Sequence, residues 1–180
     1  MEIEKLERGG LLVVRPTVFE DDRGYFYESY NQEKYKALGE EFRFVQDNLS
    51  KSSKGVLRGL HFQNPPYAQG KLVSVLRGAV LDVVVDIRKN SATYGEHFGI
   101  LLSEKNKTQF FIPPGFAHGF KTLEDDTIFS YKCTCGYNKS SEGSIRWNDK
   151  DLGIDWGITN PIVSEKDQIA PLFSELQSQF

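Results

Sequence analysis

Long hydrophobic runs and cysteines are both scarce in this chain of 180 residues. Nowhere do about 18 consecutive apolar residues occur, the length of a membrane-spanning helix, and the first residues show no apolar stretch after a basic start. We therefore expect no membrane span and no signal peptide, and we predict a cytoplasmic protein. Cys133 and Cys135 are spaced i, i+2, which on a strand points both to one face. This spacing predicts reduced packing residues rather than a Cys-x-x-Cys redox or zinc motif.

Basic residues are too few for a general nucleic-acid surface. The chain has 22 Lys and Arg against 25 Asp and Glu, a formal net charge of −3, and no run of basic residues. Because a nucleic-acid-binding face needs clustered positive charge, we expect no nucleic-acid partner and no membrane-surface patch. Any anionic ligand must be held by a local group of cations.

Aromatic and β-branched residues are plentiful, and they predict an all-β protein. Short runs of them are bounded by Gly, Pro, Asn or Ser, as strands usually are. The runs cover residues 11–14, 24–30, 71–77, 79–88, 98–102, 107–112 and 127–134. Helix is predicted only at the margins, over 32–38 after Asn31 as N-cap and in the tail from Pro171. The length, with no low-complexity linker, predicts one domain over residues 1–180.

The run 79–88 alternates most clearly. Leu81, Val83, Val85 and Ile87 fall on one face, which we expect to be core. Asp82 falls on the other face, which is available to line a polar cavity.

One histidine lies among groups suited to proton transfer. His61 follows Arg58 in the segment LRGLHFQ (57–63), and Lys71 comes soon afterwards in QGK. A neutral imidazole beside fixed cations can take a proton from a bound anion, because the cations hold the anion in place. A hydrogen-bonded core histidine is the alternative for a lone His.

A second histidine lies in FIPPGFAHGF (111–120), where a Pro-x-Gly-x-x-His turn can return His118 toward His61. This pattern resembles the second motif of the cupin superfamily. The first cupin motif carries His-x-His, but here its third position is Gln63. His97 lies in a turn-like segment that we expect at the surface. Because two histidines are too few for a usual metal site, we predict a metal-free cupin-like site.

Eight segments together resemble one family, the dTDP-4-dehydrorhamnose 3,5-epimerases, and they run in family order along nearly the whole chain. They are DRGYFYES (22–29), FVQDN (44–48), VLRGLHFQ (56–63), QGKLV (69–73), PGFAHGF (114–120), YK (131–132), DLGIDW (151–156) and SEKD (164–167). The resemblance implies a cupin-type double-stranded β-helix, or jelly-roll barrel, with a few short peripheral helices. It also implies a cofactor-independent isomerase in dTDP-L-rhamnose biosynthesis, acting on dTDP-4-dehydro-6-deoxy-D-glucose.

The resemblance assigns four catalytic residues. The ketone at carbon 4 of the sugar acidifies the hydrogens on carbons 3 and 5, so that each can be removed from one face and replaced from the other. His61 would be the base, Tyr131 the acid on the opposite face, and Lys71 the cation that stabilises the enolate oxygen. Asp167 would pair with the histidine. Asp82 is a second candidate for that partner, which the residues themselves do not exclude.

The resemblance also implies a shell of substrate-binding residues. Arg23 and Arg58 would clamp the diphosphate, because guanidinium groups bind phosphate oxygens bidentately, with Lys166 as a further cation. Tyr137 would stack on thymine. The full set is Arg23, Glu28, Gln46, Asp47, Asn48, Arg58, Lys71, His118, Tyr137, Glu142 and Lys166.

The spacing of Arg58 and His61 is awkward for a shared site. An odd separation puts two side chains on opposite faces of a regular strand, so a bulge or bend at Gly59 is needed to bring them together. Alternatively, Arg58 serves a site shared between subunits. The family resemblance implies a homodimer with crossing N-terminal strands, in which Arg23 or Glu28 reaches the partner's site. We expect an exposed apolar segment 11–14 to support that exchange.

Three other functions are compatible with parts of this pattern. The nearest is an epimerase acting at carbon 3 only, or a ketoisomerase on a related nucleotide keto-sugar. A metal-dependent cupin enzyme using His61 and His118 is more distant. A sugar-sensing cupin module is disfavoured, because a binder needs no base and acid on opposite faces.

Overall fold

The structure is a computed structural model that describes residues 1–7, 9–39 and 43–180. Its strands are β1 (Glu2–Lys5), β2 (Leu12–Arg15), β3 (Phe19–Asp21), β4 (Gly24–Phe26), β5 (Gln46–Ser52), β6 (Leu57–Gln63), β7 (Lys71–Arg77), β8 (Ala79–Asp86), β9 (His97–Ser103), β10 (Gln109–Ile112), β11 (Phe116–Thr122), β12 (Thr127–Cys133) and β13 (Glu142–Ser144). Its α-helices are α1 (Gln32–Tyr35) and α2 (Glu165–Gln168), and 3-10 turns cover Lys36–Leu38, Lys139–Ser141 and Phe173–Glu175.

Two antiparallel sheets form the body of the fold. One has six strands in the order β1-β2-β10-β7-β12-β5, and the other has five in the order β13-β6-β11-β8-β9. Alternate side chains of both sheets meet in a core that includes Val73, Val84, Phe110, Phe120 and Phe129. Side chains alternate between the two faces of a strand. The strands that build this core can therefore also present polar residues at one end of the core. The all-β prediction is confirmed.

The outer face of the five-stranded sheet is also covered. Val83, Val85 and Ile87 of the β8 region pack there against Trp156 and other residues of the C-terminal segment. Asp82, on the inner face, is fully buried and does not line an open polar cavity as its alternation suggested. Both faces of β8 are therefore core, which is why its sequence is nearly continuously hydrophobic.

The outer face of the six-stranded sheet is covered by α1 and the turn after it, where Tyr35 and Leu38 pack on Leu12 and Val14. The predicted N-cap is confirmed, because the Asn31 side chain accepts hydrogen bonds from two backbone N–H groups of the first turn. The expectation of an exposed apolar segment 11–14 is wrong. These four residues are buried, since β2 lies between β1 and β10 with both of its faces covered.

The exposed apolar surface near the N-terminus lies instead on the hairpin of β3 and β4. These two strands pair with each other in a separate two-stranded sheet. Phe19, Tyr25 and Phe26 are 64%, 56% and 70% exposed on it. The strand predicted over 24–30 ends at Phe26. Among the residues that the structure describes, no helix is long and apolar enough to cross a membrane.

Candidate active site

A bulge in β6 brings Arg58 and His61 to the same side of the sheet. In the pairing of β6 with β11, His61 lies opposite His118 and Arg58 lies opposite Phe120, so β6 has one extra residue between the two pairs. Gly59 lies at this bulge with a φ of 137°, and a Cβ atom there would be 2.5 Å from the Cα of Gly119. Only glycine fits this position without displacing backbone. Of the two alternatives that the odd spacing left open, the bulge at Gly59 is the one that the structure contains.

Arg58 and His61 line one cavity of about 480 Å³ between the two sheets. Its walls come from both sheets and from the segment before and within α2, and they are formed by Ser50, Val56, Leu57, Arg58, His61, Lys71, His118, Gly119, Phe120, Phe129, Tyr131, Ile162, Val163, Ser164, Lys166 and Asp167. A second cavity of about 190 Å³ shares His61, Lys71 and Tyr131 with the first. These three residues therefore lie where the two cavities meet.

His61 is oriented by Asp167. The imidazole Nε2 lies 2.6 Å from Asp167 Oδ1, and the backbone N–H of Gly59 donates to Oδ2 at 3.3 Å. Ser164 caps α2 by accepting from the N–H of Asp167. An ionised carboxylate can only accept hydrogen bonds, so a neutral His61 donates through Nε2 and keeps its lone pair on Nδ1.

The environment of Asp167 keeps its carboxyl group ionised. Burial alone would raise its pKa, but the hydrogen bond and the charge of His61, together with the hydrogen bonds from Gly59 and Ser164, outweigh burial and lower the pKa below its usual value. A charged Asp167 stabilises the imidazolium that forms when His61 takes a proton.

Lys71 and Tyr131 come from the opposing six-stranded sheet, on the neighbouring strands β7 and β12. Burial lowers the pKa of Lys71, opposed by the nearby Cys133, Asp82 and Glu142. Burial raises the pKa of Tyr131, reinforced by Cys133 and opposed by the Arg58 charge. Tyr131 is therefore a protonated phenol at neutral pH and can donate a proton.

Asp82 pairs with His118 rather than with His61. The His118 Nε2 lies 2.8 Å from Asp82 Oδ2, and both side chains are buried. Burial raises the pKa of Asp82 and lowers the pKa of His118, while their mutual attraction opposes both shifts. Of the two carboxylates that the sequence offered as partners of His61, the structure thus brings only Asp167 to it.

Seven of the other predicted binding residues divide between the two cavities. Arg58, His118 and Lys166 line the larger one, and Gln46, Asn48, Tyr137 and Glu142 line the smaller one. The Lys166 ammonium and a Glu142 carboxylate oxygen lie 2.5 Å apart, so an ion pair links the two groups.

Comparison with known proteins places this chain in a family. A family model described as dTDP-4-dehydrorhamnose 3,5-epimerase matches residues 5–175. The dTDP-4-dehydrorhamnose 3,5-epimerase of Salmonella typhimurium strain LT2 is 54% identical over 167 residues, which are 92% of this chain and 91% of that protein. The chain belongs to the dTDP-4-dehydrorhamnose 3,5-epimerase family.

Two solved structures of epimerases are similar throughout. The crystal structure of the dTDP-4-dehydrorhamnose 3,5-epimerase from Elizabethkingia anophelis NUHP1 has a TM-score of 0.90 and 54% identity over 97% of each chain. A dTDP-6-deoxy-D-glucose-3,5-epimerase from Legionella pneumophila Philadelphia 1, in complex with dTDP-4-keto-L-rhamnose, has a TM-score of 0.92 and 48% identity over 97% of this chain and 94% of that one. The cupin-like fold is thereby confirmed.

Three residues that the epimerase-family pattern placed in the substrate shell lie away from both cavities. Arg23 is exposed at the β3–β4 hairpin, where it pairs with Asp21. Glu28 precedes α1 in the chain and forms an ion pair with Lys34 of that helix. A sequence motif does not show which face of a strand a residue lies on, or which subunit's site it serves. The positions of these residues outside the cavities could therefore not be predicted from the motifs.

Asp47 is the third of these residues. Its neighbours Gln46 and Asn48 lie opposite Cys133 and Tyr131 on the cavity face of the sheet. Alternation puts Asp47 on the outer face, where both of its carboxylate oxygens accept from Lys132.

The cavities also contain residues that the sequence reading of this epimerase-family chain missed. Phe120 and Phe129 form part of the larger cavity and stack with ring centroids 4.2 Å apart. Phe120 lies two residues after His118, and Phe129 lies two residues before Tyr131. Because residues i and i+2 of a strand share a face, this spacing could have predicted that both phenylalanines line the cavity. Gln63, Gln69 and Cys133 line the smaller cavity. Cys133 is the buried one of two free thiols.

The two cavity histidines have carboxylate partners of their own. His61 pairs with Asp167, and His118 pairs with Asp82. Within residues 1–7, 9–39 and 43–180, no three or more His, Cys, Asp or Glu side chains are grouped to hold a metal ion. His97 is exposed at the start of β9, as expected.

Proposed function

We propose that this chain epimerises dTDP-4-dehydro-6-deoxy-D-glucose at carbons 3 and 5 to give dTDP-4-dehydro-L-rhamnose, without a cofactor or metal. The observation that carries the proposal is that His61 and Tyr131 line one cavity from opposing sheets, so that a base and an acid face each other across a bound sugar. Membership of the epimerase family supports it. The Legionella relative was crystallised with dTDP-4-keto-L-rhamnose, which is the product proposed here.

The reaction begins with His61. Its Nδ1 takes the hydrogen from carbon 3 as a proton, and the electron pair of that C–H bond forms an enolate with the carbon 4 ketone. The Lys71 ammonium stabilises the negative oxygen. Tyr131 then delivers its phenolic proton to carbon 3 from the other side, which inverts the centre. Solvent restores the proton on Tyr131 and takes one from His61, and the same steps follow at carbon 5.

The cations of the larger cavity are suited to the diphosphate. Arg58 donates to Ser52 and keeps further guanidinium N–H groups available, while Lys166 lies near the cavity wall formed by α2. Tyr137, a residue that is 59% exposed and lines the smaller cavity, stacks on thymine. Gln46, Asn48 and Glu142 contribute polar contacts in the same cavity.

We further propose a homodimer in which the β3–β4 hairpin contacts the partner subunit. The exposed Phe19, Tyr25 and Phe26 form an apolar surface that a second copy can cover. Arg23 and Glu28, which lie outside both cavities of their own chain, then reach the partner's site. We also propose that residues 1–180 act as a single domain in the cytoplasm.

Heavy water tests the reaction. The chain is incubated with the keto-sugar nucleotide in D₂O, and the ring hydrogens are followed by NMR. Loss of signal at carbons 3 and 5 supports the proposal, loss at carbon 3 alone indicates a 3-only epimerase, and no loss contradicts both. The control is His61→Asn, which we expect to bind dTDP and to exchange neither hydrogen, since its amide is not a base.

A further inference from the structure

Three glutamine side chains hold the backbone of one short segment, residues 135–138, which follows β12. The Gln69 amide donates to the carbonyl of Cys135 at 2.7 Å. The carbonyl oxygen of the Gln46 side chain accepts from the N–H of Tyr137 at 2.8 Å.

Gln63 makes the third and most extensive connection. Its Nε2 donates to the carbonyls of Gly136 at 3.3 Å and Tyr67 at 2.7 Å, and its Oε1 accepts from the N–H of Asn138 at 2.8 Å. Gln63 as a whole is only 5% exposed. Both amide N–H groups and the oxygen are therefore committed to backbone groups, and replacing them leaves buried polar atoms unpaired.

Four consecutive residues thus each have one backbone group bound to a glutamine. In the middle of them is Tyr137, whose ring is largely exposed beside the smaller cavity and whose hydroxyl donates to Glu142 at 3.2 Å. A segment with no strand or helix of its own would otherwise have to be ordered when a ligand binds, and that ordering reduces affinity.

We propose that Gln63 and Gln69 are positioning residues for nucleotide recognition, which fix segment 135–138 so that the Tyr137 ring is already placed for thymine. This inference rests on the proposed function. Neither glutamine needs to touch the reacting carbons, so their effect is on binding of the nucleotide rather than on proton transfer.

The test uses Gln63→Met and Gln69→Met, which keep the length of the side chain and remove the amide. Gln177→Met, at an exposed glutamine near the C-terminus, is the matched control. Binding of dTDP is measured by calorimetry, and KM and kcat by the rate of epimerisation. We expect the dTDP Kd and the KM to rise about five- to tenfold in both variants, with kcat within twofold of wild type, because each lost hydrogen bond loosens the segment without altering His61 or Tyr131.

Double variants separate positioning from a general effect on folding. If Gln63 and Gln69 act through Tyr137, adding either substitution to Tyr137→Ala raises Kd no further, because the ring to be positioned is absent. Additive losses, or a Kd equal to wild type in the single variants, overturn the inference. Gln69 is partly exposed, so Gln69→Met keeps the test valid if Gln63→Met does not fold. Hydrogen exchange by the wild-type protein in D₂O tests the proposed function by itself. The dTDP titration measures binding without turnover, so failure of this inference can be distinguished from failure of the proposed function.

Discussion

His61 and Asp167 are separated by 106 residues in sequence, yet Nε2 of the histidine lies 2.6 Å from a carboxylate oxygen of the aspartate. The imidazole is about one-third exposed to the cavity, while the aspartate side chain is almost fully buried. A buried carboxylate behind an accessible imidazole fixes the ring, selects its tautomer and stabilises its protonated form.

Replacing that carboxylate should impair proton transfer more than binding. In Asp167→Asn the amide neither selects the same tautomer nor stabilises the imidazolium, so we expect kcat to fall about 10³-fold. The dTDP Kd, measured by calorimetry, should stay within about threefold of wild type, because the charges that hold the diphosphate remain. A kcat within tenfold of wild type would show that Asp167 does not support the base.

The bulge at Gly59 gives a prediction on stability. In Gly59→Ala the new methyl group meets the backbone of Gly119 at 2.5 Å, and the φ of 137° is unfavourable for any L-residue. We expect the free energy of unfolding to fall by about 3–5 kcal/mol, the sum of backbone strain and overpacking. Urea denaturation measures it.

Gly55 is the matched control for this substitution. Its φ is also positive, at 83°, but a Cβ atom there meets nothing closer than 3.5 Å. Gly55→Ala should therefore cost about 1–2 kcal/mol, from the backbone conformation alone. Equal losses in the two variants would mean that the close approach to Gly119 is unimportant.

The sequence predicted elements that local chemistry determines. The strand over Lys71–Arg77 has the predicted bounds, because Gly70 and Gly78 flank a hydrophobic run. A bulge at Gly59 was one of the two alternatives that the odd spacing of Arg58 and His61 indicated, because no regular strand brings both side chains to one cavity. Neither inference needed a distant contact.

Features that depend on distant contacts were not predictable from local pattern. Strand β5, with the sequence QDNLSKS, is a polar edge strand without hydrophobic alternation, and only its pairing with β12 makes it a strand. Helix α2 has four residues, too few for a periodic signal, although it carries Asp167. The choice between Asp82 on β8 and Asp167 on α2 as partner of His61 likewise depends on which elements lie beside β6.

Asp86 should make stability depend on pH. Burial alone would raise its pKa, but hydrogen bonds from Arg88, Ser91 and Thr93 outweigh burial and lower the pKa from 3.8 to about 2. Because the pKa of Asp86 is lower in the folded chain than in the unfolded chain, the ionised carboxylate stabilises the fold at pH values above the unfolded pKa. This stabilisation is lost as the pH falls from about 4 toward 2. At pH 7 it amounts to about 2 kcal/mol.

Asp86→Asn should therefore unfold in less urea than wild type at pH 7, and the difference should shrink between pH 4 and pH 3. The exposed Asp151→Asn is the control and should match wild type throughout. A difference between Asp86→Asn and wild type that is constant from pH 7 to pH 3 would contradict a charge effect.

Mixing two variants that we expect to be impaired at different residues tests whether Arg23 acts in the partner's site. Arg23→Ala lacks the proposed phosphate contact, and His61→Asn lacks the base. In an equal mixture that exchanges subunits, half of the dimers are mixed, and each of these has one site with both an intact Arg23 and an intact His61. We expect about a quarter of wild-type activity to return. If Arg23 serves its own chain, no intact site forms, and the mixture is no more active than the two variants measured separately.

Tyr131→Phe should separate proton removal from inversion. The variant keeps His61 and Lys71, so the enolate still forms, but the phenolic hydroxyl proposed to deliver the second proton is removed. The imidazolium, after exchange with D₂O, returns deuterium to the face from which the proton left. NMR should therefore show continued hydrogen loss at carbon 3, while formation of the epimerised product falls at least about 100-fold. Epimerisation near the wild-type rate would mean that another group supplies the second proton, and loss of both exchange and inversion would mean that Tyr131 is needed for forming the enolate itself.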